Sequence, residues 1–507
     1  MAKKPSLSSK VVVSNRSALL SKYGLPGVKA IEKALHQLAK ADKGRGIETR
    51  LVYLDGAGLG SKRITDPADP AQNKAAIDAV YKKWTPEYLV ILGSHDVVPY
   101  QELKNPLHDP GDAKSDPDRF TGSDLPYACD APYSQNIRKF LGPTRVVGRV
   151  PDLTGAASPA YLIRLLKTAG SLKTVKRPDS AFALSARVWE KSTKTSVRNI
   201  LGAAPAVLTS PTKGPRFAKP PLGALVHFIN CHGDKDDHRF AGEGPADTYF
   251  TALDSRYLLG VRAGAVAAFE CCYGAQLYNP NGLPAMAIAN TYLASGAAGV
   301  LASTTIAYGP EEGNANADII CQVFVEQTLR GASLGRALLE ARLSYVNQQS
   351  VVDPYDEKTL AQFVLLGDPS VHPFRESDDA PTAKSPRANA VEHAARLQRR
   401  VRLTKSGTRL GRESAYTVPV GASVSNAFRT RANAVKGRFG TLRLFKVQEP
   451  AEARQAIGKA LGDMPRAEQI FIATRRRRDA GPGRTRIDGL LLYAVNGSMV
   501  ECHLVSR

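Results

Sequence analysis

Tyr88-Leu89-Val90-Ile91-Leu92-Gly93 is an unbroken apolar run that stops at a glycine, and it is one of a series. Val11-Val12-Val13, 51–54, Val146–Val150, 225–230, 265–270, 299–302 and Phe363–Gly367 share its character. A strand wetted on one face alternates apolar and polar residues, whereas a run without alternation needs cover on both faces. Helical spacing fills much of the sequence between these runs. Within 27–41 the apolar positions are Val28, Ile31, Ala34, Leu35 and Leu38, which fall on one helical stripe. Further helices are expected over 75–84, 285–294, 318–331 and 334–347, and a mostly helical stretch over 158–202. Buried strands that alternate with helices predict an α/β fold, a mostly parallel sheet sandwiched between helical layers.

The pattern changes near residue 375. The stretch from Arg375 to Asn389 is rich in Ser, Asp, Ala and Pro, as exposed joins are. The expected organisation is an N-terminal α/β subdomain over 1–150, then a helical connection and second α/β subdomain over 151–375. A linker over 376–389 and a smaller basic α+β domain over 390–507 follow. In the last domain a helix is expected near 451–461 and strands near 469–474, 489–495 and 499–505. The four arginines 475–478, followed by Asp-Ala-Gly-Pro-Gly, read as an exposed hairpin loop. A Pro/Asp/Gly-rich connection over 105–130 is long for a structureless loop, which points to a functional one.

Composition excludes several classes. No stretch approaches the roughly 18 apolar residues of a membrane helix, and no apolar core of a secretory signal follows the basic N-terminus, so a cytoplasmic protein with no membrane span is expected. The six cysteines, Cys129, Cys231, Cys271, Cys272, Cys321 and Cys502, show no CxxC spacing, which argues against a zinc ribbon or disulfide scaffold. Neither a metal nor an organic cofactor is expected. The acidic neighbours of His238 lack ligand spacing, and Gly56-Ala57-Gly58-Leu59-Gly60 is not followed by the Gly-Lys-Ser/Thr of a phosphate loop. The formal charge is +22, and residues 376–507 hold 25 Lys and Arg against 12 Asp and Glu, or +13. Such a basic unit suits nucleic acid, an anionic surface or an acidic protein, although no nucleic-acid motif accompanies it.

Two strand ends carry the chemistry: Leu225-Val226-His227-Phe228-Ile229-Asn230-Cys231-His232-Gly233 and Ala265-Val266-Ala267-Ala268-Phe269-Glu270-Cys271-Cys272-Tyr273-Gly274. Functional groups in open α/β sheets gather at the carboxyl ends of strands, so neighbouring parallel strands bring His232 and Cys272 to one edge. A thiol attacks as the thiolate, and an imidazole beside it takes the proton and later returns it to the leaving amine. Gly233, with no side chain, lets its backbone N–H approach a developing oxyanion, with the Cys272 N–H as second donor.

These segments resemble the caspase–gingipain clan of cysteine peptidases, in which His-Gly follows one strand and the nucleophilic cysteine follows the next. Within that clan, Ile91-Leu92-Gly93-Ser94-His95-Asp96, Ser123-Asp124-Leu125-Pro126-Tyr127, Val147-Gly148-Arg149-Val150-Pro151 and Leu366-Gly367-Asp368-Pro369-Ser370 are similar to gingipain-type segments. The resemblance spans roughly 10–375 and implies a caspase-like α/β/α sandwich. It leaves the nucleophile open between neighbours. Gingipain-like Cys-x-x-Gly spacing selects Cys271, whereas caspase-like spacing and an acidic residue two positions earlier select Cys272, the preferred reading. It further implies an acidic floor for a basic P1 residue in the 105–130 region, for which Asp124 and Asp130 are candidates.

The function expected is a cysteine endopeptidase acting through His232 and Cys272, with Gly233 at the oxyanion. Its partners would be a protein or peptide substrate and a regulatory protein. The alternative is a catalytically silent caspase-like scaffold whose basic C-terminal domain binds a protein or nucleic acid.

Overall fold

The computed structural model describes residues 8–112, 115–202, 206–217, 219–348 and 352–375, and the backbone of 417–419, 443–447, 469–480, 484–495 and 498–506. The chain divides into two compact units, Met1–Tyr345 with Pro354–Val391, and Glu392–Arg507 with Val346–Asp353.

The first unit is built on a ten-stranded sheet. Its order from one edge to the other is Ile47–Tyr53, Ser8–Ser14, Tyr88–Leu92, Val146–Val150, Phe363–Gly367, Gly299–Ser303, Val266–Phe269, Val226–Asn230, Phe182–Ala186 and Val207–Ser210. All pairings are parallel except that of Phe363–Gly367 with Gly299–Ser303. The eight strands running from Ser8–Ser14 to Phe182–Ala186 in that order are almost wholly buried, as their unbroken apolar character requires. One sheet runs through position 150.

Helices Arg16–Gly44, Pro70–Trp84, Ala160–Ser171 and Ile288–Ala294 put Val28, Ile31, Leu35, Ile77, Leu162, Leu166 and Ile288 into one apolar core with strand residues. A second set, Glu190–Leu201, Ala317–Leu329 and Pro354–Gln362, packs among itself and against the strands. This is the α/β class with a mostly parallel sheet that the sequence predicts. Three of the gingipain-like segments turn out to brace it. Asp368 receives the fully buried Lys10, which also contacts Asp42, and Arg149 binds Asp124.

The structure differs from the sequence reading at several points. The 158–202 stretch is mostly helical, as expected, but not continuously so. It holds two helices, Ala160–Ser171 and Glu190–Leu201, with the sheet strand Phe182–Ala186 between them. Phe-Ala-Leu-Ser-Ala is short and its small residues suit either state, so its periodicity does not reveal it. The edge strand Val207–Ser210 and the helix Pro354–Gln362 are also additions.

The second unit contains a five-stranded antiparallel sheet, Thr417–Pro419, Arg443–Val447, Gln469–Ala480, Arg484–Val495 and Ser498–Ser506. The 475–478 arginines lie within a strand rather than in a hairpin loop. Arg475 pairs with Asp488, Arg476 with Ile487 and Arg477 with Arg486, so the turn comes after Ala480. The linker expected over 376–389 and the helix expected near 451–461 lie outside the described residues.

Candidate active site

The strands Val226–Asn230 and Val266–Phe269 are parallel neighbours whose register ends at Ile229 opposite Phe269. Three residues beyond that pair lie His232 on one chain and Cys272 on the other, so equal steps from a shared register carry both to the carboxyl edge of the sheet. The two chains then pass very close. A Cβ added at Gly233 would lie 1.9 Å from the Cys272 carbonyl oxygen and 3.3 Å from its amide nitrogen, so only glycine fits.

Beyond the sheet, His232–Gly233 pairs antiparallel with Arg239–Glu243, His232 opposite Ala241. Glu243 is two residues past Ala241 and shares its face. Its Oε2 accepts a hydrogen bond from His232 Nε2 at 2.8 Å. A carboxylate only accepts, so Nε2 carries a proton, and in the neutral ring the lone pair is on Nδ1. The ring is also walled by Trp189, centroid to centroid 4.4 Å, and by Tyr249 at 4.9 Å in an edge-on contact. Half-buried, it stays reachable. Tyr249 faces Glu243 in the next strand pairing, so one hairpin supplies both the carboxylate and an aromatic wall.

The two adjacent cysteines have different surroundings. Cys271 is fully buried, with its sulfur 3.7 Å from the Ile229 carbonyl oxygen, and burial pushes its thiol far up. Cys272 is half-buried, and its sulfur accepts from the Ala307 N–H at 3.4 Å. Burial raises this thiol too, but the Ala307 N–H, the Lys358 charge and the N–H groups of Gly233 and Cys272 itself oppose the rise. Ala307 thus holds the sulfur at both its backbone groups, its N–H donating at 3.4 Å and its carbonyl oxygen 3.7 Å away. Tyr273, next in the chain, is held in the left-handed region at φ 53°, with its N–H on the Thr305 carbonyl. Gly274 packs against Ala302, with Cβ room of 3.2 Å.

Glu270, the acidic residue two before Cys272, is buried beneath the site with neither carboxyl oxygen meeting an N–H or O–H donor. Burial and the adjacent Asp318 raise it well above an ordinary carboxyl, while burial pushes Asp318 up to about 6. Two carboxyls buried close together resist both being ionised, and the raise favours the protonated form of each. Asp318 also accepts from Ser192 Oγ at 2.9 Å and from the Ala315 N–H at 3.1 Å.

On the other side, the 105–130 connection reaches the site. Asp116 meets the fully buried Lys358 and accepts from the Tyr308 hydroxyl at 2.8 Å. Burial alone would raise Asp116, but the Lys358 hydrogen bond and charge hold it below the usual carboxylate range.

The two residues expected to bind a basic P1 side chain are not among these groups. Asp124 is 4% exposed and spends both oxygens on the fully buried guanidinium of Arg149, at 2.9 and 2.6 Å, so it braces the sheet instead of flooring a pocket. Asp130 is exposed in the turn after Cys129, on the side where Lys74 binds the Cys129 carbonyl. His227 is a core histidine, bonded to the Tyr292 hydroxyl and the Ala224 carbonyl and driven down to about 4 by burial. His238 sits between Asp237 and Asp254, and among the described residues no group of three or more His, Cys, Asp or Glu could hold a metal. Glu243, Trp189, Tyr249, Ala307 and Lys358 are additions to the sequence reading. Only Glu243 carried a signal, a lone acid in the alternating Arg239–Glu243 segment.

Residues 223–374 match the model of peptidase family C25, 152 of the 507 residues. The gingipain-type resemblance read from the motifs is thereby borne out over that segment, which includes His232, Gly233, Glu243, Cys272 and Lys358. Two solved structures of the Saccharomyces cerevisiae separase–securin complex are similar to the chain. One has 11% identity and a TM-score of 0.28, the other 13% and 0.29, and each match covers 47% of this chain and 14% of that one. The similarity thus spans about a seventh of those chains. No curated protein matches the sequence. Among the described residues no helix is long and apolar enough to cross a membrane.

Proposed function

We propose that this chain, whose residues 223–374 carry the peptidase family C25 signature, is a cysteine endopeptidase with Cys272 as nucleophile and His232 as its acid–base partner. The observation that supports it most is the convergence at one sheet edge: three residues past one register pair stand a half-buried thiol that accepts from the Ala307 N–H and an accessible imidazole that a carboxylate orients.

The surroundings suggest the order of events. Burial keeps the Cys272 thiol protonated near neutral pH, so proton loss accompanies attack instead of preceding it. His232 Nδ1 takes the thiol proton as the sulfur bonds to the scissile carbonyl carbon. The carbonyl oxygen becomes an oxyanion, which the N–H groups of Gly233 and Cys272 stabilise. Its collapse breaks the C–N bond, and the proton held on Nδ1 goes to the leaving amine. Water, deprotonated by the same nitrogen, then hydrolyses the thioester and returns the thiol. Glu243 keeps the ring in the required tautomer throughout. The substrate is a protein or peptide, and the cytoplasm is its proposed setting.

The test is P1 profiling of the full chain on a diverse fluorogenic peptide library, beside the C272A and H232A variants and with a thiol-directed acylating probe. Cleavage by wild type only, with the probe on Cys272, supports the reading. If wild type cleaves nothing and takes up no probe, the scaffold alternative stands in its place.

A further inference from the structure

Asp118 belongs to the connection between the strands Gln101–Lys104 and Phe120–Ser123, outside the C25 segment. Its two carboxylate oxygens go to two chains that flank the same sulfur. Oδ1 accepts from the Tyr273 hydroxyl at 2.9 Å, and Tyr273 is the residue immediately after Cys272. Oδ2 accepts from the Ile306 N–H at 3.0 Å, and Ile306 immediately precedes Ala307, whose N–H donates to the Cys272 sulfur.

Both flanking residues need holding. Tyr273 has a left-handed backbone, which is strained for a bulky side chain and persists only where its surroundings enforce it. The Ala307 donor lies on a loop segment after the strand Gly299–Ser303, with no ladder of its own. One rigid carboxylate ties the two together. Its own seat is firm, because the fully buried Lys358 ammonium lies 3.5 Å from Oδ2 and also binds Asp116, which holds Tyr308.

We propose that Asp118 is a positioning residue for Cys272: by fixing Tyr273 and Ile306 together it sets the thiol on the Ala307 amide and against Gly233, in the pose from which it attacks. Asp118 touches neither the sulfur nor a substrate, and acts through its two neighbours. The inference deepens the peptidase reading and rests on it for its consequence in turnover, although the thiol geometry can be read without any substrate.

The experiment compares wild type, D118A, D118N and Y273F as full chains. The Cys272 alkylation rate by iodoacetamide is followed from pH 6 to 10 by peptide mass spectrometry, with peptide cleavage and melting temperature beside it. D118A loses both acceptors. It is expected to slow cleavage about ten- to a hundredfold through kcat with KM little changed, the scale of a small misplacement of reacting groups, and to move the alkylation profile to higher pH as the Ala307 donor is lost. D118N keeps an oxygen for Ile306 and an amide that can donate to the Tyr273 oxygen, so it restores most of both readouts. Y273F cuts only one arm, and gives an intermediate effect even if D118A fails to fold. An alkylation profile in D118A, or in Y273F should D118A not fold, that matches wild type overturns the proposal. If wild type cleaves no peptide while these variants still shift the profile, the positioning role holds and it is the peptidase reading that falls.

Discussion

His232 Nε2 and Glu243 Oε2 stand 2.8 Å apart on a diagonal of one antiparallel pairing, so the strand that turns back beside the histidine also sets its tautomer. Replacing Glu243 with Gln keeps the shape but offers an amide that can present either a donor or an acceptor to Nε2, so the proton is no longer confined there. For the proposed peptidase we expect kcat to fall about a hundredfold, the lower end of what acid–base catalysis contributes, with melting temperature almost unchanged. Steady-state kinetics of E243Q beside wild type measure this. A kcat equal to wild type would remove Glu243 from the proposed mechanism.

The neighbouring cysteines should behave as opposites. Cys271 is wholly enclosed, so C271A opens a small cavity and is expected to cost about 1 kcal/mol of stability while leaving turnover near normal. C272A touches little of the core and should abolish turnover at unchanged stability. Denaturant melts together with peptide cleavage separate the two. The reverse pattern would make Cys271 the nucleophile.

Gly233 tests the close approach of the two strand ends. An alanine methyl at 1.9 Å from the Cys272 carbonyl oxygen meets backbone, which cannot turn aside as a side chain does. We expect G233A to lose about 1–3 kcal/mol, the usual range for overpacking, and to lose turnover with it. Chemical denaturation and cleavage assays read both, and wild-type values in both would contradict the packing described.

The Glu270–Asp318 pair gives a pH dependence of definite sign. Both carboxyls are raised in the folded state above their unfolded values, Asp318 to about 6. A raised carboxyl contributes stability that is fully present below its unfolded pKa, about 4 for these types, and that is lost as pH rises through the folded value. Removing one of the acids should therefore help at high pH. E270Q is expected to raise the melting temperature at pH 8 relative to wild type, and to raise it less at pH 5. Scanning calorimetry at both values decides it; an equal shift at the two would mean that ionisation of the buried pair does not oppose folding in this range.

The sequence made the sheet interior legible because strands covered on both faces announce themselves as apolar runs, as Tyr88–Leu92 and Val226–Asn230 do. Phe182–Ala186 escaped because two alanines and a serine carry little periodic signal. His232 and Cys272 were readable because each follows its strand directly, and their equal offset from the register pair follows from strand adjacency. Glu243, Ala307 and Asp118 were hidden for another reason. Each reaches the site from a segment outside the large sheet, Glu243 from a small hairpin and the other two from loops, whose path depends on tertiary packing. The motif containing Asp124 stands out in the sequence, but the partner of its carboxylate does not. An aspartate beside a sheet looks like a binding group until its partner, Arg149 on the Val146–Val150 strand, is seen to occupy it completely.

The strand Phe363–Gly367 sits between Val146–Val150 and Gly299–Ser303, so it is the seam between the two halves of the large sheet, although it is the last of the ten to leave the ribosome. Until it is made, a nascent chain holds two half-sheets with bare inner edges, and bare edges invite mispairing. The helix carrying Lys358, which backs the thiol site, leads directly into that strand. A thiol site assembled in this order stays incomplete through most of the chain's synthesis, because the seam and the cation behind the thiol arrive together. A chain ending at residue 362 is accordingly expected to be degraded readily in limited proteolysis under conditions where the chain ending at residue 375 resists.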